Sequence, residues 1–276
     1  MMLEKFAFKG TLWFRAVLIV VAMTAIATGR IGAGEAAYLA YKAPESLEDL
    51  REGRIGVLKG SVFIGIAKAG VAGATIVELS DTQAQIAGLL DGTLDAVVTD
   101  EPVARLAVAD NPALGLLPEK IKPDQYAFAA RYYYGDLVKD MNELIDELRE
   151  DGTLDEMVER WLDGPASGRS MPELPEYEAG EPLRFGIAPV LPPMSYHDSN
   201  GKPTGFDIEL AKRLAYKLKL RLVLTEMDFA ELIPRLRKGE VEMIGSSLSI
   251  TPERVELVQF TDSYLDGSAA AIVRVQ

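Results

Sequence analysis

Short apolar stretches alternate with amphipathic ones along most of the chain. Runs such as "RIGVL", "TIVEL" and "LDAVVTD" are rich in β-branched residues, whereas "TQAQIAGLLDG" and "NELIDELREDG" have apolar positions at helical spacing. Runs of the first kind predict buried strands, and segments of the second kind predict helices packed on one face. Their alternation predicts an α/β fold.

The same order of elements occurs twice. The second half has its own strands at "LRFGIAPVL", "LRLVLTEM" and "EVEMIGSSLS", and a stretch rich in proline and glycine precedes them. This pattern predicts two α/β lobes, residues 41–164 and 183–276, joined by an extended linker at 165–182. Ligands of such sheets bind beyond the carboxyl ends of the strands, so we expect a cleft between the lobes.

Two spacings of polar residues predict helix starts. Thr82 with Gln85, and Thr153 with Glu156, have the spacing of a capping box. The helix that follows Thr153 carries Trp161, which we predict to pack in the core.

The first residues differ from the rest of the chain. Lys5, Lys9 and Arg15 precede the apolar run "AVLIVVAMTAIAT", which is too short to span a bilayer easily. A basic flank, a short apolar run and the small residues Ala25 and Ala27 near its end are typical of a secretory signal peptide. We therefore predict a signal peptide within residues 1–37 and a periplasmic location, with an uncleaved membrane anchor as the alternative.

Composition excludes several kinds of chemistry. The 276 residues carry a net charge of −13, contain no cysteine and include a single histidine, His197. Such acidity disfavours nucleic acid as a partner. The missing residues exclude thiol catalysis, and a lone histidine disfavours a histidine metal site or a Ser-His-Asp triad. We expect no cofactor and no metal, and interpret His197, in "YHDSNGKP", as a solvated turn residue.

One turn near the C-terminus combines hydroxyls with an arginine. In "SSLSITPERVELVQF", Thr251 and Pro252 have the positions of a helix cap and first helical residue, and Arg254 follows. Ser247 and Ser249 alternate along the incoming strand and should share one face. Together these groups predict a small anion site that includes Thr251 and Arg254. A capped helix with a solvated arginine is the alternative.

An acid ends a strand at the matching place in the other half. Asp100 closes the apolar run "LDAVVTD", where its carboxylate would face the cleft, or else cap the helix beginning at Glu101. An arginine on one lobe and an aspartate on the other would hold both charges of a zwitterion. The glycine turn "LKGS", ending at Ser61, could add backbone N–H groups.

The longer motifs resemble a known family. The stretches "PMSYHDSNGKPTGFDIELAKRLA", "MDFAELIPRLRKGEVEMIGSSLSITPERVELVQFTDSY" and "GSAAAIVRV" are similar to the first lobe of the family 3 bacterial extracellular solute-binding proteins. The stretches "SLEDLREGRIGVLKGS", "LLDGTLDAVVTDEP" and "MNELIDELREDGTLDEMVERWLDG" are similar to their second lobe. The resemblance implies a two-lobed periplasmic binding protein type II fold, also called a Venus flytrap.

The lobes stand in reverse order. In the family the first lobe precedes the second, whereas this chain begins with the second-lobe-like part and ends with the first-lobe-like part. This order predicts a circular permutation, with ends near Tyr41 and Gln276 close together in space. A piece of a longer chain with tandem modules or a fused permease is the alternative.

The resemblance also implies roles for individual residues. Arg254 resembles the family's carboxylate-binding arginine, and Asp100 its ammonium-binding aspartate. Further implied ligand contacts are Ser249, Ser247, Ser61 and an aromatic wall at Phe229. Leu191 and Ala188 replace an aromatic lid and a side-chain-reading aspartate frequent in the family, which favours a less polar ligand side chain. Tyr196 is interpreted either as an aromatic wall of the ligand site, in place of the missing lid, or as a core residue.

The implied function is binding without chemistry. A cleft would close on an amino acid and present it to the permease of an ABC importer, with the binding protein acting as a monomer. No catalytic residue is predicted. The alternatives are a sensing module of a membrane receptor and an enzyme similar to cyclohexadienyl dehydratases, which share the fold.

Overall fold

The computed structural model describes residues 42–164 and 168–275. The predicted signal peptide and the predicted neighbours Tyr41 and Gln276 lie outside these residues. Within the described part, no helix has the length and apolar character needed to cross a membrane. Residues Glu45–Arg274 form one compact unit, which contains all the elements described below.

The first sheet is mostly built from the first half of the chain. Its strands are β1 (Arg54–Leu58), β2 (Thr75–Leu79), β3 (Ala96–Asp100), β4 (Leu114–Leu116), β5 (Lys122–Tyr126) and β14 (Leu265–Arg274). The order is β2-β1-β3-β14-β4, and β5 also pairs with β14. Strands β1, β2 and β3 are parallel, whereas β14 runs antiparallel to its neighbours. Its helices are α1 (Phe63–Gly70), α2 (Thr82–Asp91) and α3 (Glu101–Asp110).

The second sheet is mostly built from the second half. Its strands are β6 (Ala129–Ala130), β7 (Pro182–Ile187), β11 (Arg221–Glu226), β12 (Met243–Ile244) and β13 (Gln259–Phe260), in the order β11-β7-β12-β6-β13. A small antiparallel sheet contains β8 (Val190–Leu191), β9 (Ser195–His197) and β10 (Pro203–Thr204). The helices are α4 (Gly135–Glu150), α5 (Thr153–Val158) with a π turn at Glu159–Asp163, α6 (Phe206–Lys217), α7 (Leu232–Lys238) and α8 (Pro252–Val255).

Each sheet contains a strand from the other half of the chain. Strand β14 lies between β3 and β4, and β6 lies between β12 and β13. The chain therefore crosses between the sheets twice, from β5 to β6 and from β13 to β14. The two crossings are hydrogen-bonded side by side, because the Tyr264 N–H donates to the Tyr126 carbonyl at 3.0 Å and the Thr261 N–H to the Phe128 carbonyl at 2.9 Å. The predicted lobe boundaries stay a prediction.

The helix starts differ in part from the predicted capping boxes. Asp81 caps α2 by accepting from the Ala84 N–H at 2.7 Å, and the Thr82 hydroxyl donates instead to the Val190 carbonyl at 2.8 Å. No side-chain hydrogen bond caps α5, whose preceding residue is Gly152. Both capping-box predictions were therefore wrong. At α2 the Thr82 hydroxyl makes a tertiary contact and Asp81 caps the helix, and at α5 Gly152 takes the cap position.

Trp161 lies fully buried, as predicted, and its partner is an acid. The Trp161 indole N–H donates to Oε2 of Glu209 at 2.7 Å, and Glu209 is also fully buried. Arg160 and Arg213 bind the same carboxylate at 2.8 Å and 2.7 Å. This cluster ties the end of α5 to α6 and so joins the two halves of the chain around the second sheet.

Removing the Glu209 carboxylate should destabilise the fold strongly. We expect Glu209→Ala to lower the free energy of unfolding by about 3–5 kcal/mol, since two arginines and an indole N–H lose their buried acceptor. Glu147→Ala, which breaks the exposed ion pair with Lys217, should cost at most about 1 kcal/mol. Urea unfolding compares the two variants, and equal costs would contradict the role of the cluster.

Candidate functional site

Arg254 lies at the start of α8, but its side chain turns toward the first sheet. The Thr251 hydroxyl caps the helix, accepting from the Arg254 N–H at 3.3 Å, as predicted. The guanidinium donates to the Ser249 carbonyl at 3.1 Å and to the Gly60 carbonyl at 3.4 Å, and lies 5.9 Å from the centre of the Phe229 ring. The alternative of a solvated arginine is therefore wrong. Burial lowers the pKa of Arg254, while Asp124 and Asp100 raise it.

The serines before α8 do not continue a strand. Strand β12 ends at Ile244, and Ser247 has a φ of 47°, in the left-handed region that non-glycine residues rarely adopt. The Ser247 N–H donates to Oδ2 of buried Asp207 at 2.8 Å, which holds this conformation. The expected alternation of Ser247 and Ser249 on one strand face was therefore wrong. The Ser246 hydroxyl accepts instead from the Ala188 N–H at 2.9 Å.

Ser249 contacts an acid, Asp124, that the sequence did not predict as part of the site. The Ser249 hydroxyl donates to Oδ2 of Asp124 at 2.7 Å, and Ser249 forms an isolated antiparallel bridge with Tyr126. Burial raises the pKa of Asp124, while the Ser249 hydroxyl lowers it. In the sequence, Asp124 follows a proline within a polar stretch and resembles an ordinary loop residue, so no local signal marks it.

Asp100 ends β3 with a buried and largely unpartnered carboxyl group. It is only 2% exposed, and among the described residues its Oδ1 has no hydrogen-bond partner. It precedes α3, yet its side chain makes no capping bond, so the alternative role as a helix cap was wrong. Burial, with smaller contributions from Asp124 and Asp207, raises the pKa of Asp100 to about 8, while the Tyr126 hydroxyl lowers it.

The glycine turn that precedes Ser61 contacts Arg254. Gly60 has a φ of 77°, and a Cβ built there would lie 2.6 Å from the Cβ of Ala230, so only glycine allows this approach. Ser61 is buried, and its hydroxyl has no partner within the described part of the chain. Since the Gly60 carbonyl accepts from Arg254, the turn and the arginine meet across the two sheets.

The predicted apolar walls fall into two clusters. Phe229 and Leu191 are buried together with Leu58 and Val103, which come from the first sheet and α3. Tyr196 packs edge-on against Trp161, with ring centres 6.4 Å apart, in the other cluster. The structure thus brings Phe229 to Arg254 and places Tyr196 against the core. Ala188 is buried in the same cluster as Leu191.

The described residues offer no metal-binding group. Within 42–164 and 168–275, no three histidine, cysteine or acidic side chains are placed to hold a metal ion. His197 lies in β9, with Nε2 3.1 Å from Oε2 of Glu226. What the site offers is one guanidinium, two carboxyl groups and several hydroxyls, a set that can hold a small polar molecule carrying both charges.

A comparison with known protein families finds a match to the second half of the chain. Residues 183–276 match the family described as bacterial extracellular solute-binding proteins, family 3. This part of the chain is therefore similar to that family, which confirms the resemblance noted from the sequence. The mixed α/β fold class is confirmed as well, whereas the circular permutation stays a prediction.

Named relatives are amino-acid-binding proteins. The L-arginine-binding protein of Pseudomonas aeruginosa is 33% identical over 105 residues, which make up 38% of this chain and 40% of that protein. The probable histidine-binding protein of Campylobacter jejuni is 39% identical over 82 residues, or 30% of this chain and 32% of that protein. The chain thus spans less than half the length of the curated relatives it matches.

Solved structures match over similar stretches. The arginine-bound form of domain 1 from TmArgBP is 31% identical, with a TM-score of 0.31, over 37% of this chain and 86% of that one. An ancestral cyclohexadienyl dehydratase is 29% identical, with a TM-score of 0.27, over 31% of this chain and 37% of that one.

The raised pKa values predict how stability depends on pH. Burial raises the pKa of Asp100 to about 8 and that of Asp207 to about 7, from an ordinary 3.8. Between pH 4 and 8 the folded protein therefore holds protons that the unfolded chain releases. This stabilising contribution is fully present below pH 4 and is lost as the pH rises through 7 and 8, by up to about 1.4 kcal/mol per pH unit for each group.

Urea unfolding at pH 5.5 and pH 8.5 tests this dependence. We expect the wild type to be less stable at pH 8.5, and Asp100→Asn to lose less stability between the two values because the amide does not titrate. Asp155→Asn, on the exposed face of α5, should retain the wild-type difference. The assignment is wrong if Asp100→Asn also retains it.

Proposed function

We propose that the protein binds an α-amino acid, with the ligand carboxylate on Arg254 and its ammonium on Asp100, and delivers it to an ABC-type importer. The observation that carries the proposal is that Arg254 on α8 and buried Asp100 at the end of β3 interact electrostatically, although they come from different halves of the chain. Arg254 donates to backbone carbonyls, and among the described residues no carboxylate lies within ion-pair distance of it. Its capacity for a bidentate carboxylate is therefore available to a ligand.

Hydroxyls around both charges support the same ligand. Ser249 and Thr251 lie on the Arg254 side, and buried Ser61 lies in the turn whose Gly60 contacts the guanidinium. Ser247 belongs to the same turn as Ser249. A zwitterion bound between Arg254 and Asp100 would join the two sides of the cleft, which is how a ligand favours closure by hinge motion.

The ligand side chain would lie near apolar groups. Phe229 and Leu191 are buried beside the site, and Ala188 stands where an acid would read a cationic side chain. These residues favour a less polar amino acid, whereas the named relatives bind arginine or histidine. We therefore expect a less polar amino acid to bind best.

Location and partner follow from the same proposal. The named relatives include periplasmic binding proteins, and the N-terminal sequence has the pattern of an export signal. We infer a periplasmic monomer that meets the permease of an importer. The proposal assigns no catalytic residue, and conversion of prephenate by the wild-type protein would indicate an enzyme instead.

Calorimetry with the twenty amino acids tests the binding proposal. We expect saturable binding of at least one, and about 30- to 5,000-fold weaker binding by Arg254→Ala and by Asp100→Ala, because each variant leaves one ligand charge buried and unpaired. Arg237→Ala and Asp155→Asn, both at exposed positions, should bind as the wild type does. Wild-type affinity in both site variants would refute the clamp.

We also propose that the chain is a circular permutant. Strand β14, from the second half of the chain, completes the first sheet, and α4 and α5, from the first half, pack on the second sheet. A family member whose lobes had been rejoined in reverse order through residues 165–182 would have this arrangement. A tandem or permease-fused protein is the competing arrangement.

Restoring the family's order tests the permutation. A chain that runs from residue 182 to 275, continues through a Gly-Ser linker to residue 42 and ends at residue 164 should fold and bind the same ligand within a few-fold. The control is residues 42–275 in their natural order. If the control folds and the reordered chain does not, the permutation proposal is wrong.

A further inference from the structure

Several buried polar atoms without partners lie along the base of the site. Within the described residues, hydrogen-bond partners are missing for Oδ1 of Asp100, Oδ1 of Asp207 and the hydroxyls of Tyr126, Tyr264 and Ser247. All five residues are at most 3% exposed. Buried polar atoms are nearly always satisfied, so a concentration of unsatisfied ones points to a missing proton, water or ligand group.

The two tyrosines are held on the two chain crossings. Tyr126 ends β5, and Tyr264 precedes β14. The Tyr264 backbone N–H donates a hydrogen bond to the Tyr126 carbonyl at 3.0 Å. A Cβ at Gly267 would lie 2.8 Å from the Tyr126 ring, so this glycine makes room for it. The Tyr264 ring packs against Phe128 and Phe206, with centres 5.1 Å and 5.7 Å away. Both hydroxyls therefore have fixed positions.

Each tyrosine lies beside one of the buried aspartates. The Tyr126 hydroxyl lowers the pKa of Asp100, and the Tyr264 hydroxyl lowers the pKa of Asp207, although neither pair has good hydrogen-bond geometry. Burial, with the neighbouring acids, raises the pKa of both tyrosines, so they remain neutral. Asp207 also holds the Ser247 backbone at 2.8 Å. The chain of groups thus extends from Asp100 to the turn before Arg254.

The other charged groups around Asp100 are mostly acids. Asp124 on β5 faces Asp100 and Tyr126, and Glu101 on α3 faces Tyr126 while accepting from the Ser268 hydroxyl at 2.6 Å. Lys120 lies 3.9 Å from Glu101, and Lys122 on β5 acts on Asp124. Arg254 on α8 is the cation that acts on both Asp100 and Asp124. No cation is paired with Asp100 among the described residues.

We propose that binding of the ligand ammonium at Asp100 releases a proton, and that Tyr126 is a positioning residue which sets the pH at which this happens. The inference rests on the proposed function, since it assumes that Asp100 receives the ammonium. In the ligand-free protein the buried Asp100 carboxyl keeps its proton. On binding, the O–H bond breaks, the proton passes to solvent, and the carboxylate pairs with the ammonium.

The affinity should therefore depend on pH in a defined way. Below the pKa of about 8 for the ligand-free Asp100, the proton competes with the ligand, so the affinity should rise about tenfold per pH unit from pH 6 to 7.5. Above pH 8 the affinity should level off. At pH 7, calorimetry in buffers of different ionisation enthalpy should give about 0.9 protons released per ligand.

Two variants should shift, in opposite directions, the pH above which the affinity is constant, here called the plateau. Tyr126→Phe removes a hydroxyl that lowers the pKa of Asp100, so the plateau should shift to higher pH. Asp207→Asn removes a negative charge that raises the pKa of Asp100, and the amide oxygen can still accept from Ser247, so the plateau should shift to lower pH. Tyr216→Phe, at an exposed position of α6, is the matched control and should not shift it.

The outcomes separate this inference from the proposed function. Tight binding without proton release would overturn the inference and leave the amino-acid clamp intact. If no amino acid binds, the clamp and the release both fail. Carboxyl carbon-13 NMR of the ligand-free protein, assigned with Asp100→Asn, then tests the network itself, and titration of Asp100 near pH 4 would overturn it.

Discussion

The antiparallel pairing of β14 with β3 is the interaction on which the rest of the site depends. Ala269 lies opposite Asp100, and the pairing continues to Ile272 opposite Val97. The small residues of β14 let it lie between β3 and β4, although its neighbours come from the other end of the chain. The pairing buries Asp100 at the end of β3, and the adjoining pairing of β14 with β5 places Tyr264 beside Tyr126.

Asp100, Asp207 and Glu209 are all buried acids, and the protein accommodates them in two different ways. Burying a carboxyl group without a cation costs free energy, which the protein lowers by retaining a proton. Glu209 shows the contrasting solution, because two arginines and an indole N–H surround its carboxylate. Asp100 and Asp207 have no such partners among the described residues. The Glu209 carboxylate is thus paired on all sides, whereas Oδ1 of Asp100 and Oδ1 of Asp207 have no hydrogen-bond partner among the described residues.

Local features of the fold could be predicted from the sequence. The strand Thr75–Leu79 and the strand ending at Asp100 occur as expected, and Thr251 caps its helix, because each depends on neighbouring residues alone. Features set by distant contacts could not. Asp124 is part of the site only because Ser249 pairs with the strand end beside it, and Ser247 leaves the strand conformation because Asp207 holds its N–H. Thr82 failed as a cap for the same reason.

The assignment of the ligand carboxylate to Arg254 is most directly tested by changing the ligand. The affinities of the bound amino acid and its α-amide should be measured with the wild type and with Arg254→Ala. If Arg254 binds the carboxylate, the wild type should bind the amide at least about 30-fold more weakly, and Arg254→Ala should bind both compounds equally. A variant that still discriminates as strongly as the wild type would contradict the clamp.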